Sequence, residues 1–135
     1  MYIIRKCFQF SAAHRLHSPS LSGEENIDTF GKCNSPHYHG HNYRLEVAVA
    51  GDIDPKTGMV INFEELKTIV NENIIDQLDH KNLDMDVDFL KGEITTAENM
   101  ARLIWKRLEP HVKKARLYEI SLAETEDNIV VYRGD

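Results

Sequence analysis

Residues 38–50 read Tyr-His-Gly-His-Asn-Tyr-Arg-Leu-Glu-Val-Ala-Val-Ala, with the two-residue alternation of a strand that has one buried face. Two histidines come first on that face and apolar or aromatic side chains follow, whereas Arg44 and Glu46 point the other way. The sequence therefore predicts a strand whose buried face begins with a histidine pair. The residues on this face are His39, His41, Tyr43, Leu45, Val47 and Val49.

Three further segments are predicted to be strands. Segment 3–14 also alternates, and its apolar face ends in His14. The chain finishes with two more strands, 116–124 and 129–133, joined by a polar turn. The polar stretch 15–36 is predicted to be a long loop, and loops of that length often carry function.

Two helices are predicted between the strand segments 38–50 and 116–124. Asn62 is placed to cap the first helix, and Glu65 follows at the spacing of a capping box. The second helix begins at Thr95 or Thr96, and Thr95 with Glu98 again has capping-box spacing. The order is strand, strand, helix, helix, strand, strand (ββααββ). It predicts an α+β fold, a four-stranded antiparallel sheet with two helices on one face.

Size, composition and charge limit the class of protein. The 135 residues, 41% hydrophobic and 28% charged, predict one globular domain over 1–135. The net charge of −6 argues against broad nucleic-acid binding, and no apolar run approaches the roughly 20 residues that span a membrane. Cys7 and Cys33 make a poor disulfide framework, and the N-terminus lacks the order of a signal peptide. We therefore expect a cytoplasmic protein.

The histidines indicate a metal site. His39 and His41, two positions apart on one strand face, project about 7 Å apart and can reach one ion. His14 ends another apolar face and is the candidate for a third ligand. His37 shares their parity, but positions 37 to 41 span about 13 Å, so His37 is either a bystander or displaces one of the others. Three imidazoles around zinc leave one coordination position open, as in catalytic sites.

Cys33 has two competing interpretations. A thiolate bound to zinc would close the site and make it structural. Alternatively, Cys33 is a reactive thiolate, because it lies among polar neighbours beside Lys32. Cys7 is expected to be a small buried hydrophobic residue.

Two other places hold candidate proton-transfer or binding groups. Asp79 and His80 close the first predicted helix, where the histidine either takes part in proton transfer or caps the last carbonyls. Glu124 continues an apolar strand face, where a carboxylate is costly unless it is paired. Glu124 either binds a cationic or amide-bearing ligand, or its side chain reaches solvent at the strand end.

Seven ordered blocks of sequence carry a resemblance to a known family. They are Phe10-Ser-Ala-Ala-His14-Arg-Leu, Gly31-Lys-Cys33-Asn, His39-Gly-His41-Asn-Tyr, Gly51-Asp-Ile-Asp-Pro-Lys-Thr-Gly-Met59, Leu78-Asp79-His80-Lys-Asn-Leu, Thr95-Thr-Ala-Glu-Asn and Glu124-Thr-Glu-Asp-Asn-Ile-Val-Val-Tyr132. Over essentially its whole length the chain resembles the 6-pyruvoyl-tetrahydropterin synthases, whose superfamily includes the 6-carboxytetrahydropterin synthases.

The resemblance implies a fold, an assembly and a set of roles. The fold is the tunnelling fold (T-fold), in which the sheets of three subunits close a barrel and two trimers stack into a homohexamer. Active sites in this family lie at subunit interfaces. The implied roles are zinc binding by His14, His39 and His41, general-base catalysis by Cys33, proton relay by Asp79 and His80, and anchoring of the pterin ring by Glu124.

The implied reaction eliminates triphosphate from 7,8-dihydroneopterin triphosphate and gives 6-pyruvoyl-tetrahydropterin. Arg15, Lys32 and Lys81 are candidate triphosphate contacts, and a second cation such as magnesium stays open. The five residues between Cys33 and His39 resemble the spacing of the pyruvoyl-forming enzymes. The 6-carboxytetrahydropterin synthase of queuosine biosynthesis, which takes the same substrate, is the main alternative.

Two further classes of function are weighed against these enzymes. A non-catalytic, zinc-stabilised pterin-binding assembly would leave Cys33, Asp79-His80 and Glu124 without a common purpose. A zinc hydrolase is disfavoured because the chain has no His-Glu-x-x-His helix.

Overall fold

A mixed sheet of five strands, in the spatial order β3-β1-β2-β4-β5, is the centre of the fold. The structure is a computed structural model and describes residues 1–135. The strands are β1 (Tyr2–His14), β2 (His39–Gly51), β3 (Lys81–Asn82), β4 (Arg116–Thr125) and β5 (Asn128–Tyr132). The predicted α+β class is confirmed, but the four-stranded antiparallel sheet is wrong. The short β3 pairs in parallel with β1 at Ala12 and Ala13. Two residues are too few to show the alternation of buried and exposed side chains from which the other strands were predicted.

Helix α2 (Phe63–Val70), which continues through a π-helical turn (Asn71–Ile75) into α3 (Asp76–Leu78), and helix α4 (Ala97–Leu108) cover one face of this sheet. A further helix, α1 (Gly23–Phe30), lies in the segment between β1 and β2. Short 3₁₀ turns occupy Gly31–Asn34, Asp88–Leu90 and Glu109–His111. The predicted order ββααββ is therefore incomplete, since it omits α1 and β3. None of the helices has both the length and the hydropathy needed to cross a membrane.

Helix α1 lies inside the stretch 15–36 that was predicted to be a loop, and that prediction is wrong. A complete capping box starts the helix. The Ser22 hydroxyl accepts from the Glu25 backbone N–H at 3.1 Å, and the Glu25 carboxylate accepts from the Ser22 N–H at 2.9 Å. The amide of the buried Asn26 then donates to the Ser18 and Ser22 carbonyls, which holds the helix against the preceding chain.

The predicted cap of α2 is confirmed in part. The Asn62 side chain accepts from the Glu64 backbone N–H at 2.8 Å, as an N-cap should. Glu65 does not complete a capping box, because its carboxylate pairs with Lys114 at 3.0 Å.

At α4, the predicted Thr95–Glu98 capping box is wrong. Thr96 is the N-cap and accepts from the Asn99 backbone N–H at 3.2 Å. Thr95 is turned inward and is 1% exposed. The two neighbouring threonines therefore have different tasks, one at the helix end and one in the interior.

The core lies between the helices and the apolar face of the sheet. The predicted inward face of β2 is confirmed, since Tyr43, Leu45, Val47 and Val49 are fully buried. Each such aliphatic side chain contributes about 1.5–3 kcal/mol through burial. The Phe10 and Tyr43 rings, on paired positions of β1 and β2, stack with centroids 4.8 Å apart. The antiparallel register also sets His14 opposite His39 at the end of the ladder.

The opposite face of the sheet carries an ion cluster around one buried carboxylate. The Glu119 side chain is 6% exposed and accepts from Arg133 Nε at 2.9 Å and from Arg5 Nη1. The hydrogen bond from Arg5, with a smaller contribution from Arg133, lowers the pKa of Glu119 below its usual value. Glu119 is therefore ionised in the folded protein at neutral pH.

We expect Glu119→Gln to lower the free energy of unfolding by about 1–3 kcal/mol at pH 7, because it leaves two guanidinium groups without their carboxylate. Since the folded pKa of Glu119 is lowered, its contribution is present above the unfolded pKa, about 4.3, and is lost as the pH falls through the folded value. Urea unfolding at pH 7 and pH 3.5 should therefore show the difference between wild type and variant shrinking in acid. An equal difference at both pH values would contradict this account.

Candidate metal centre and active site

Three histidines form one cluster at the end of the β1–β2 ladder. The ring centroids of His14 and His39 are 4.7 Å apart, those of His14 and His41 5.2 Å, and those of His39 and His41 4.9 Å. One ligand nitrogen from each residue lies within 4.8 Å of the others. Strand alternation puts His39 and His41 on one face, and the β1–β2 register adds His14.

The orientation of His14 is fixed by the protein. Its ring is fully buried, and Nδ1 lies 3.0 Å from the Thr95 carbonyl oxygen. A carbonyl only accepts, so Nδ1 carries the proton and Nε2 keeps its lone pair. The Tyr43 hydroxyl packs 3.4 Å from both ring nitrogens.

The cluster fits a metal ion. Both ring nitrogens of His39 and Nε2 of His41 are buried without a hydrogen-bond partner. Unpaired buried polar atoms are rare and costly, and a bound cation would satisfy them. Burial lowers the pKa of His14 and of His41, which outweighs the opposing influence of Glu124. Both imidazoles are therefore neutral at pH 7, the form that binds metals.

Glu124 lies at the edge of the cluster. Its carboxylate oxygens are 3.4 Å from His41 Nε2 and 4.0 Å from His14 Nε2. An open groove of about 1010 Å³ begins here, where the pairing between β2 and β4 stops after Arg44 and Ala123. Besides Tyr43, the ionisable side chains that line it are His41, Arg44, Asp79, Glu124 and Glu126. With three carboxylates and one guanidinium, the groove suits a ligand that donates hydrogen bonds.

Asp79 and His80 form a hydrogen-bonded pair beside this groove. His80 Nδ1 lies 3.0 Å from Asp79 Oδ1. The same carboxylate accepts from the Ser11 backbone N–H at 2.9 Å, which is the largest cause of the lowered pKa of Asp79. His80 is exposed, has a φ of 61°, and donates its backbone N–H to the Ser11 carbonyl. Its ring therefore pairs with Asp79 and does not cap the helix.

Cys33 is not part of the cluster of ligand atoms. It sits half-buried in the 3₁₀ turn Gly31–Asn34, and its carbonyl accepts from the Leu16 N–H at 2.8 Å. The group of residues whose ligand atoms approach one another consists of the three histidines without Cys33. The structure thus gives no support to a four-ligand site of three histidines and one cysteine.

Two other residues from the sequence lie outside the cluster. His37 is exposed in the turn before β2, so it is a bystander to the ligand set.

Cys7 was expected to be buried, and this is wrong. It is exposed on the helix-free face of the sheet, where Arg44 Nη2 approaches its Sγ at 3.3 Å and Sγ approaches Glu46 Oε1 at 3.3 Å. Even-numbered residues of β1 face the core, and Cys7 has the other parity.

Sequence reasoning missed two residues behind the cluster: Thr95, whose carbonyl accepts from His14, and Asp84, which accepts from the Thr95 hydroxyl. Thr95 was assigned only to a helix cap, and Asp84 was assigned nothing. The sequence did contain one signal for Thr95. Two threonines stand at the start of α4 and one suffices for the cap, so the other was available for a different contact.

Comparisons with known proteins agree with this geometry. The sequence model of the family described as 6-pyruvoyl tetrahydropterin synthase matches residues 3–135. The human 6-pyruvoyl tetrahydrobiopterin synthase is 49% identical over 132 residues, covering 98% of this chain and 91% of that protein. The 6-carboxy-5,6,7,8-tetrahydropterin synthase of Haemophilus influenzae is 32% identical over 153 residues, covering 98% and 99%.

The solved structures give the same relationship. The Caenorhabditis elegans 6-pyruvoyl tetrahydropterin synthase superimposes with a TM-score of 0.94 at 41% identity, covering 99% of this chain and 96% of that one. Sequence and fold agree along the whole length, and the resemblance stated from the sequence blocks is confirmed. The chain belongs to the 6-pyruvoyl tetrahydropterin synthase family.

Proposed function

We propose that this chain is a zinc-dependent 6-pyruvoyl-tetrahydropterin synthase, a carbon–oxygen lyase that acts on 7,8-dihydroneopterin triphosphate. The observation that carries the proposal is the cluster of three histidines with unpaired buried nitrogens, which opens onto a carboxylate-lined groove in a chain of this family. The relatives named as 6-pyruvoyl tetrahydrobiopterin synthases, one of them as putative, are 44–52% identical to this chain, whereas the relative named as a 6-carboxy synthase is 32% identical. This difference favours the 6-pyruvoyl product.

His14, His39 and His41 would hold the zinc ion. Zinc binds imidazole nitrogen readily, and three protein ligands leave one position for substrate. Bound there, zinc supplies Lewis acidity to the hydroxyl oxygens of the substrate side chain and so acidifies the adjoining C–H. Because the histidines close one end of the core, the reacting carbons would lie at the rim of the apolar interior.

Glu124 would anchor the pterin ring. The aminopyrimidinone edge of a pterin presents adjacent N–H donors, and a carboxylate accepts with both oxygens. The position of Glu124 next to His41 and His14 would keep the ring close to the metal-binding nitrogens. The neighbouring carboxylates of the groove suit the same N–H-rich edge.

Cys33, Asp79 and His80 would move the protons. Cys33 as a thiolate would take the proton from the acidified C–H. Loss of that proton supplies the electron pair for elimination, in which the carbon–oxygen bond to triphosphate breaks. His80, held by Asp79, would return a proton during the tautomerisation that follows. No external redox cofactor is needed, because the oxidation and the reduction occur within one substrate.

Three cations are the candidates for the triphosphate group. Lys32 and Lys81 are exposed and form no ion pair, so their ammonium groups are free to meet an anion. Arg15 is partly engaged, since its Nε donates to the Asn34 carbonyl at 2.9 Å. A second cation such as magnesium would neutralise part of the negative charge of the triphosphate together with these residues.

The proposal includes a homohexamer in the cytoplasm. β5 is an edge strand with Ile129 58% and Val131 51% exposed, and β3 covers only Ala12 and Ala13 of the opposite edge. Unpaired edges of this kind favour pairing with other copies of the chain, as in a trimeric barrel. Both cysteines are free, which suits a reducing compartment.

The 6-carboxytetrahydropterin synthase activity of queuosine biosynthesis is the second candidate. It is favoured by the end-to-end match to the Haemophilus influenzae enzyme named above. Both candidates act on the same substrate and differ in the product.

The proposal is tested by measuring triphosphate release from 7,8-dihydroneopterin triphosphate. We expect zinc-loaded protein to release it, chelator-treated protein to stop, and addition of zinc to restore the rate. Protein treated with chelator already saturated with zinc is the matched control. A zinc-loaded protein that binds the substrate and releases no triphosphate would identify a non-catalytic pterin-binding assembly.

A further inference from the structure

We propose that Asp84, acting through Thr95, positions His14 and thereby sets the affinity of the histidine cluster for its metal. This inference rests on the proposed metal-binding role of the cluster. It concerns two residues that touch neither the groove nor the other two histidines. Both are positioning residues in the sense that they act through His14.

A chain of hydrogen bonds connects the metal-binding ring to a carboxylate. His14 Nδ1 donates to the Thr95 carbonyl oxygen at 3.0 Å. The Thr95 hydroxyl donates to Asp84 Oδ1 at 2.7 Å. Since Thr95 is buried, water does not compete for this hydroxyl. The carboxylate therefore holds the residue whose carbonyl orients the ring.

The second oxygen of Asp84 restrains the other side of His14. Asp84 Oδ2 accepts from the backbone N–H of Arg15, the residue that follows His14, at 2.7 Å. One carboxylate thus holds both the hydrogen-bond acceptor of the His14 ring and the backbone next to it. Asp84 itself is fixed, because its N–H donates to Asn82 Oδ1 at 3.0 Å and Asn82 belongs to β3.

His14 is the one ligand of the three with such support. Its ring alone donates a hydrogen bond to the protein, whereas both nitrogens of His39 and Nε2 of His41 are unpaired. Hydrogen bonds behind a metal-binding histidine fix its tautomer and its direction, and raise its basicity. His14 would therefore be the oriented ligand around which the other two adjust. β3 and the loop after it would serve to place Asp84.

The test measures zinc affinity without substrate, by competition with a chromophoric chelator. We expect Asp84→Ala and Thr95→Val to raise the zinc Kd about 10- to 100-fold. Thr95→Ser keeps the hydroxyl and should stay within about threefold of wild type. Asp88→Ala is the matched control, because Asp88 lies four residues further along the chain and its exposed carboxylate pairs with Lys91 at 3.0 Å, away from Asn82 and Thr95.

A second readout separates orientation from general loosening of the fold. In cobalt-substituted protein, Asp84→Ala and Thr95→Val should change the visible ligand-field spectrum, and Asp88→Ala should not. Melting of the metal-free proteins checks that each variant folds. If Asp84→Ala does not fold, Asp84→Asn and Thr95→Val are measured instead. Asn keeps the size of the side chain and one acceptor oxygen, so this variant disturbs the fold less.

Several results would overturn the inference. They are an unchanged zinc Kd in the folded Asp84 and Thr95 variants, an equal loss of zinc affinity in Asp88→Ala, or an unchanged cobalt spectrum. Failure of the wild type to bind zinc at all would overturn it together with the metal role of the cluster. Absence of triphosphate release alone would contradict the proposed reaction and leave the affinity result standing.

Discussion

Replacing His39 by alanine is expected to release the metal and to lower kcat/KM for triphosphate release by about 10³-fold or more. This corresponds to about 4 kcal/mol of transition-state stabilisation. In the proposed site His39 would provide one of three ligands, and the remaining two would hold a zinc ion poorly. Metal content per subunit and the rate of triphosphate release, measured on the same preparation, check both parts.

The melting temperature of the metal-free protein gives a second test of the role of His39. Both ring nitrogens of His39 are buried and unpaired, so the residue contributes little to the metal-free fold. Metal-free His39→Ala should therefore melt at or above the temperature of metal-free wild type, whereas only wild type gains stability from added zinc. His37→Ala is the matched control, because His37 is exposed two residues earlier. A His39→Ala protein that keeps one zinc per subunit would show that the ligand set is wrong.

Replacing Cys33 by alanine is expected to lower kcat by about 10²- to 10⁴-fold, the range for loss of a general base, with the zinc content unchanged. The reason is that Cys33 would move a proton while the three histidines hold the metal. Single-turnover rates and metal content, measured together, separate these two tasks. Cys7→Ala is the matched control, since Cys7 is the other free cysteine and lies on the helix-free face of the sheet.

Two outcomes would contradict the assigned role of Cys33. Zinc lost from Cys33→Ala but kept by Cys7→Ala would make the thiolate a ligand and the site structural. Full activity in Cys33→Ala would move the proton transfer to another group, and the Asp79–His80 pair would be the first to examine.

The sequence alone predicts the parts of the fold that depend on periodicity. Alternation over segments 3–14 and 38–50 predicts β1 and β2 together with their buried faces. The same alternation places His39 and His41 on one side, and the end of β1 supplies His14. The metal-binding cluster was therefore predictable, because each histidine continues a pattern set by its own strand.

The parts that depend on distant partners were not predictable in this way. β3 consists of two residues that become a strand only because β1 is beside them. Both Thr95 and Thr96 can cap a helix, and the capping-box spacing to Glu98 favours Thr95 in the sequence. The contacts of Thr95 with His14 and Asp84 turn it inward and leave the cap to Thr96. Helix α1 is a different kind of error, since its capping box was visible and its polar composition led to the prediction of a loop.

The mass of the product that zinc-loaded protein forms from 7,8-dihydroneopterin triphosphate distinguishes the two candidate activities. We expect a product with the mass of 6-pyruvoyl-tetrahydropterin, formed in step with triphosphate. A product with the mass of 6-carboxytetrahydropterin would contradict this expectation and assign the chain to the carboxy-forming branch.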